Sequence, residues 1–176
     1  ACVALAVAYL AENAEDPQRH VHAFETARYL ADTVFHSEDL LTWLETASTA
    51  TAEGFDKNNL GALAMFGPLG SVFCLAFMQL LLKTPYAQAL EEAAALGGAV
   101  STNAAVVGSL IGAYWGAWAV PQAWRDAVLG CSTERLGVDR PEWVHPAQVP
   151  ALLEKVLAAS PTSVAASPLP PGAQAT

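Results

Sequence analysis

Apolar residues along the chain recur every three or four positions rather than in alternation. Leu40, Leu41, Leu44 and Ala47 form one such set, and Leu152, Leu153, Val156 and Leu157 another. This is the period of a helix with one buried face. Helix-boundary residues punctuate the same stretches. Asp16-Pro17 predicts an N-cap followed by proline at the first helical position, where its missing N–H costs nothing. Ser37-Glu38-Asp39 predicts a second start, with carboxylates at the positive helix end. Thr84-Pro85 predicts a third, and Gly97-Gly98 stops the helix it opens. Ser101 or Thr102 then caps a further helix, expected to run to about Trp118 and to end before Pro121. Strand signals are nearly absent. The fold class is all-α, with at least six helices. The helix over 102–118 is expected to be central and almost wholly buried.

The texture changes at Ser160. From there to Thr176 the chain holds four prolines, one glycine and no charge, and such a segment cannot bury enough surface to offset its ordering entropy. The expected organisation is one helical domain over 1–159 and a disordered Pro/Ala/Ser-rich tail over 160–176. A chain of 176 residues buries about two-thirds of its unfolded surface on folding, enough for a real core. No internal repeat is present. The chain opens at Ala1 inside a predicted helix, as expected of a gene product truncated or incompletely recovered at its N-terminus.

Two long uncharged runs raise a membrane alternative. No charged residue lies between Lys57 and Lys83, nor between Glu92 and Arg125, and either run is long enough to cross about 30 Å of hydrocarbon as helix. Gly108, Gly112 and Gly116 also form two successive GxxxG steps. Against a membrane hairpin stand the polar, helix-breaking Gly97–Asn103 segment and Pro68 with its flanking glycines. Flanking Lys and Arg are too few for a positive-inside bias. The same glycine stripe suits a packed helix of a soluble core.

Charge removes one function class. The formal net charge is −9 and only eight Lys and Arg are scattered along the chain, whereas nucleic-acid binding is driven by clustered cations. Cys2, Cys74 and Cys131 show no CxxC spacing and sit among apolar residues, the pattern of buried reduced thiols in a cytoplasmic protein. Residues 1–10 lack a basic n-region and a cleavage site, so they do not read as a signal peptide.

The most specific chemistry lies in Gly97-Gly98-Ala99-Val100-Ser101-Thr102-Asn103-Ala104-Ala105. This segment resembles the C-terminal signature of the ADP-ribosylglycohydrolase family, usually GGDTDTNAAIVG. Tyr86-Ala87-Gln88-Ala89-Leu90-Glu91-Glu92 resembles the helix that leads into that signature, and Gly108–Tyr114 the helix that follows it. Val120-Pro121-Gln122-Ala123-Trp124 resembles the family's IPxxW turn, and Arg140-Pro141-Glu142-Trp143 with His145-Pro146 a proline-rich exit segment. The resemblance covers about residues 57–157. It implies an orthogonal helical bundle of the family type, present in part. It also implies a site in which two magnesium ions orient ADP-ribose for cleavage of its glycosidic bond to an acceptor. The two aspartate positions of the signature are Ala99 and Ser101 here.

That departure matters chemically. Magnesium takes octahedral oxygen coordination, usually with carboxylates. Ala99 offers no side-chain oxygen and Ser101 only a neutral hydroxyl, so Thr102 alone keeps a matching ligand position. No cofactor is therefore expected, no catalytic residue is assigned, and an inactive family member is the expected reading. Asp16, Asp32, Asp39, Asp56, Asp126 and Asp139 read as cap, turn or surface residues rather than as replacement ligands. Backbone N–H groups at the start of the helix near Thr102, with Gly97 and Gly98 upstream, make an anion pocket conceivable. Gly97, Gly98, Ser101 and Asn103 are the candidate substrate-binding residues, for ADP-ribose or a related nucleotide. An ordinary Gly-Gly helix stop followed by a Ser/Thr cap explains the same residues without a ligand.

Other candidates are weaker. His20 and His22 lie two apart on a predicted helix, do not match the i, i+4 spacing of metal ligands, and read as exposed. His36 stands alone, and His145 before Pro146 reads as a turn residue. Ser71 follows Gly70 but has neither GxSxG nor a preceding strand. Trp115, Trp118 and Trp124 are expected to pack the central helix against its neighbours rather than to stack a purine. Three readings remain: an inactive glycohydrolase-like protein, a pseudoenzyme serving as a binding or interaction module, and a membrane-associated hairpin.

Overall fold

The computed structural model of the chain describes residues 1–53, 63, 65–132 and 141–159. Eight α-helices, short 3-10 turns and no strand occur among the described residues, so the fold is all-α. The tail over 160–176, Asp56 and Asp139 lie outside the described residues. The helices fall into two compact units, Ala1–Pro121 and Gln122–Thr176.

The first unit holds α1 (Cys2–Glu12), α2 (Arg19–Thr33), α3 (Glu38–Glu53), α4 (Gly67–Leu81), α5 (Tyr86–Ala95) and α6 (Val100–Trp115). Helix α4 packs on α3 and α6, α1 on α2 and α6, and α5 on α6. The predicted starts at Ser37-Glu38-Asp39 and Thr84-Pro85 are those of α3 and α5. Helix α2 begins later than Asp16-Pro17 suggests. Its N-cap is Gln18, and the Asp16 side chain accepts the Gln18 N–H at 2.8 Å just outside the helix.

The deepest helix is not the predicted one. Every residue of α4 from Gly70 to Leu80 is buried, as befits a helix apolar all round. Pro68 sits in its first turn, where it needs no donor, and α4 takes 15 residues of the uncharged run. At 1.5 Å per residue these extend about 22 Å, and no helix among the described residues is long and apolar enough to cross a membrane.

Helix α6 starts two residues earlier and ends three earlier than predicted, and it is one-sided rather than wholly buried. Asn103, Val107, Leu110, Ile111 and Tyr114 face inward, while Ser101, Thr102, Ala105 and Ser109 are exposed. The small size of its residues hides a polar face spaced at i and i+4. Two glycines of the stripe face α5, Gly108 at close range and Gly112 at ordinary contact distance. A Cβ on Gly108 would lie 3.3 Å from the Tyr86 hydroxyl, and one on Gly112 3.4 Å from the Tyr86 ring. Gly116 is not part of the stripe. It is the C-cap of α6 at φ +83, a backbone state that favours glycine, and it turns the chain into the 3-10 turn Ala117–Ala119.

The second unit holds α7 (Gln122–Leu129), α8 (Val149–Ala159) and the 3-10 turns Glu142–Val144 and Pro146–Gln148. His145 is a turn residue as predicted, its Nδ1 accepting the Ala147 N–H at 3.0 Å. The apolar positions Leu152, Leu153 and Val156 of α8 are exposed.

All three cysteines are free thiols, but only Cys2 and Cys74 are buried, because Cys131 follows the end of α7 and is exposed. Burial pushes the Cys74 thiol up to about 11.

Candidate functional site

The Gly97–Asn103 loop is shaped by two left-handed residues in succession. Gly97 has φ +77 and Gly98 φ +65, and a Cβ on either would meet nothing within 4 Å. Glycine is needed here for its backbone conformation and not for space. Leu96 N–H closes α5 onto Glu92 O at 3.0 Å, and Val100 N–H turns back to Gly98 O at 3.0 Å.

Helix α6 begins without a side-chain cap. Its N-cap is Ala99, whose carbonyl accepts the first helical bond from Asn103 N–H at 2.9 Å. Ser101 and Thr102 do not cap it, because they already lie in its first turn. Their backbone N–H groups belong to the set that an α-helix leaves without internal partners, and both residues are exposed.

Asn103 sits differently from its neighbours. It is buried, and its Nδ2 donates to Gly97 O at 2.9 Å. The carboxamide thus ties the glycine loop to the helix across six residues. Of the four candidate binding residues, Gly97, Gly98 and Ser101 share one partly open loop end, and Asn103 holds that loop from inside.

Thr102 lies at the rim of an apolar groove of about 310 Å³, lined also by Val3, Leu69, Val72, Phe73 and Val106. As a magnesium site the donor set does not fit. It offers the Thr102 and Ser109 hydroxyls beside apolar side chains, Ser101 next to them and no carboxylate at position 99, where magnesium prefers anionic oxygens. No three His, Cys, Asp or Glu side chains converge elsewhere among the described residues.

Two polar clusters lie elsewhere among the described residues. On α4, Gln79 is fully buried and donates from Nε2 to the Glu92 carboxylate, which also accepts Gln88 Nε2 at 2.9 Å. The only sequence signal was a lone glutamine in an uncharged run. At the start of α2, His22 Nδ1 and Asp16 Oδ2, from the loop before the helix, lie 2.6 Å apart, and the Tyr9 hydroxyl donates to the same carboxylate oxygen at 3.4 Å. Burial pushes the Asp16 carboxyl up. The hydrogen bonds from His22, the Gln18 N–H and Tyr9 outweigh it and hold the group below the usual carboxylate range. His20 and His22 are therefore half-buried and engaged, not exposed as predicted.

Ser71 is no nucleophile. It is buried, and its hydroxyl is directed at the Leu63 and Gly67 carbonyls, each at 2.7 Å. Trp115 ties α6 to a neighbouring turn as expected, whereas Trp118 departs from expectation. Trp115 packs edge-on against Tyr114 and donates to Thr84 O at 2.9 Å. Trp118 is 92% exposed and packs nothing in place, because Gly116 ends the helix before it.

Comparison with protein families matches ADP-ribosylglycohydrolase over residues 1–159, an extent that reaches beyond the 57–157 legible in the motifs. Neither the curated proteins nor the solved structures include one that matches this chain. The chain belongs to the ADP-ribosylglycohydrolase family.

Proposed function

We propose that this chain uses the glycohydrolase scaffold to bind ADP-ribose or a related nucleotide, and that it does not hydrolyse it. The observation that carries this reading is the substitution of both signature aspartates, by Ala99 at the N-cap and by Ser101 in the first turn of α6. Removing two carboxylates takes away magnesium affinity. It also takes away the negative charge that would repel a diphosphate when no metal is bound. What remains at the loop is polar and uncharged, with first-turn N–H groups on the exposed residues Ser101 and Thr102 and the positive end of the helix dipole. Gly97, Gly98 and Ser101 would contact the ligand, and Asn103 would hold the loop. Free thiols fit a cytoplasmic setting.

Calorimetry with ADP-ribose, in magnesium and in chelator, tests the proposal alongside a release assay on an ADP-ribosylated protein. Binding of equal strength in both conditions without release is the expected result. Magnesium-dependent release would overturn the inactive reading. Absence of both binding and release would leave a scaffold that serves protein contacts instead.

A further inference from the structure

Positive charge gathers where α2 meets the C-terminal end of α6 and the turn after α4. Arg19 donates to Ala14 O at 2.6 Å and to Tyr114 O near the end of α6, and its guanidinium lies 5.1 Å from the Tyr114 ring centroid. A cation there complements the negative helix end. The next residue, His20, sets its ring edge-on to Tyr114 at 5.7 Å. Its Nδ1 is fully buried and has no hydrogen-bond partner among the described residues. Lys83, at φ +52 in the turn after α4, adds a second positive charge whose field reaches the ring. The next residue of that turn, Thr84, receives the Trp115 indole N–H.

A neutral ring suits this place, with its proton on Nε2 and Nδ1 bare. A second proton would create an N–H donor with no acceptor in a buried position, beside two cations. Such a group carries the full desolvation cost. The charged or titratable groups around the ring are Lys83 from the turn after α4, Tyr114 from α6, Asp16 from the α1–α2 loop, and Arg19 and His22 from α2 itself. Asp16 is the one anion in this set, and its oxygens are already engaged by His22, Gln18 and Tyr9.

We propose that His20 makes this junction a pH-sensitive latch. With the ring neutral, α2 stays seated on the end of α6. With the ring protonated, the seat loosens and Trp115 leaves Thr84. Burial first, and then Lys83, hold the His20 ring below its ordinary value of 6.5. A depressed value means that the closed form binds fewer protons than the open form. Closure is therefore fully favoured above about 6.5 and weakens as pH falls below it. Each unit of difference between the closed and open values changes the opening equilibrium about tenfold.

Hydrogen exchange at the Trp115 indole N–H, assigned with Trp115→Phe and corrected for intrinsic exchange, tests the latch between pH 7.5 and 5.5. Protection should fall several-fold at the lower pH. His20→Gln should abolish that fall, and His22→Gln should leave it in place. Lys83→Gln should shrink it, because His20 is then penalised less on protonation. Protection that is equal at both pH values, or that falls equally in His20→Gln, overturns the proposal. A fall that disappears with His22 instead of His20 overturns it too. If His20→Gln does not fold, an unchanged fall in Lys83→Gln serves as the overturning result.

Discussion

Helices α4 and α6 have nearly equal length and both arise from uncharged runs, yet they do different work. Helix α4 is buried on every side from Gly70 to Leu80, and Phe77 meets Phe24 and Phe73 with ring centroids 6.0 and 4.9 Å away. Helix α6 buries one face, lends a second to α5 through Gly108 and Gly112, and leaves the face of Ser101, Thr102, Ala105 and Ser109 open. Large apolar side chains in α4 build the core. Small ones in α6 permit close approach and present the signature loop. An uncharged run thus states only that a helix can be buried; side-chain volume states how far.

The largest expected effect follows from that contrast. Phe77→Ala removes a fully buried ring from α4 and should cost about 3–5 kcal/mol in urea unfolding. Val106→Ala, on the half-buried side of α6, should cost clearly less. Equal costs would break the distinction between the two helices.

Glycines sharpen it next. A Cβ on Gly70 would fall 2.6 Å from both the Phe66 Cβ and the Trp43 ring, so Gly70→Ala should destabilise by about 1–3 kcal/mol through overpacking. A Cβ on Gly112 meets only ordinary contact at 3.4 Å. Gly112→Ala should therefore be neutral or gain up to about 1 kcal/mol from helix propensity, while Gly112→Leu should cost about 1–3 kcal/mol against Tyr86. A thermal melt that ranks Gly112→Ala below Gly70→Ala would show that α5 and α6 pack more tightly than α3 and α4.

Much of this was legible beforehand. The all-α class, the starts of α3 and α5, the Gly97-Gly98 stop and the packing of Gly108 and Gly112 follow from local chemistry. So does the turn role of His145. What escaped depends on distance in the fold. Nothing near Arg19 in sequence announces that it donates to Tyr114 O, 95 positions away. Gln79 and Glu92 meet only because α4 and α5 are adjacent. Trp118 looked like a core residue because apolar composition cannot tell that Gly116 breaks the helix first. In the candidate loop the residue types were readable, but their division of labour was not. Asn103 turned inward and Ser101 outward through the helix phase, and that phase was set by a start at Val100.

A smaller gain is expected at the N-cap. Alanine is a poor residue there, since it accepts no hydrogen bond from the first turn, and Ala99 makes no side-chain cap bond. Ala99→Asp should stabilise the chain by about 1 kcal/mol by capping the N–H groups of Ser101 or Thr102 and by complementing the helix dipole. That gain should appear in chelator. Its absence would mean that the carboxylate is drawn elsewhere, and that α6 starts differently in solution.

The smallest effect is the most discriminating. Magnesium should barely move the thermal midpoint of the unmodified chain, because the loop offers it hydroxyls rather than carboxylates. A ligand specific to the folded state adds RT ln(1 + [L]/Kd), which stays below about 0.4 kcal/mol while the concentration is under Kd. Restoring both acids, Ala99→Asp with Ser101→Asp, changes two things that must be kept apart. The cap and dipole contribution is present in chelator, so only the increment between chelator and millimolar magnesium reports a metal. Like charges two residues apart at the helix start also repel each other, and a bound cation relieves that repulsion. A magnesium increment in the double variant that is missing in Ala99→Asp alone would mean that the loop still holds its two acidic positions in a metal-binding arrangement. A capping gain with no magnesium increment would mean that the family's helix packing has outlived the metal geometry, and the loop should then be treated as a helix stop that binds anions at most.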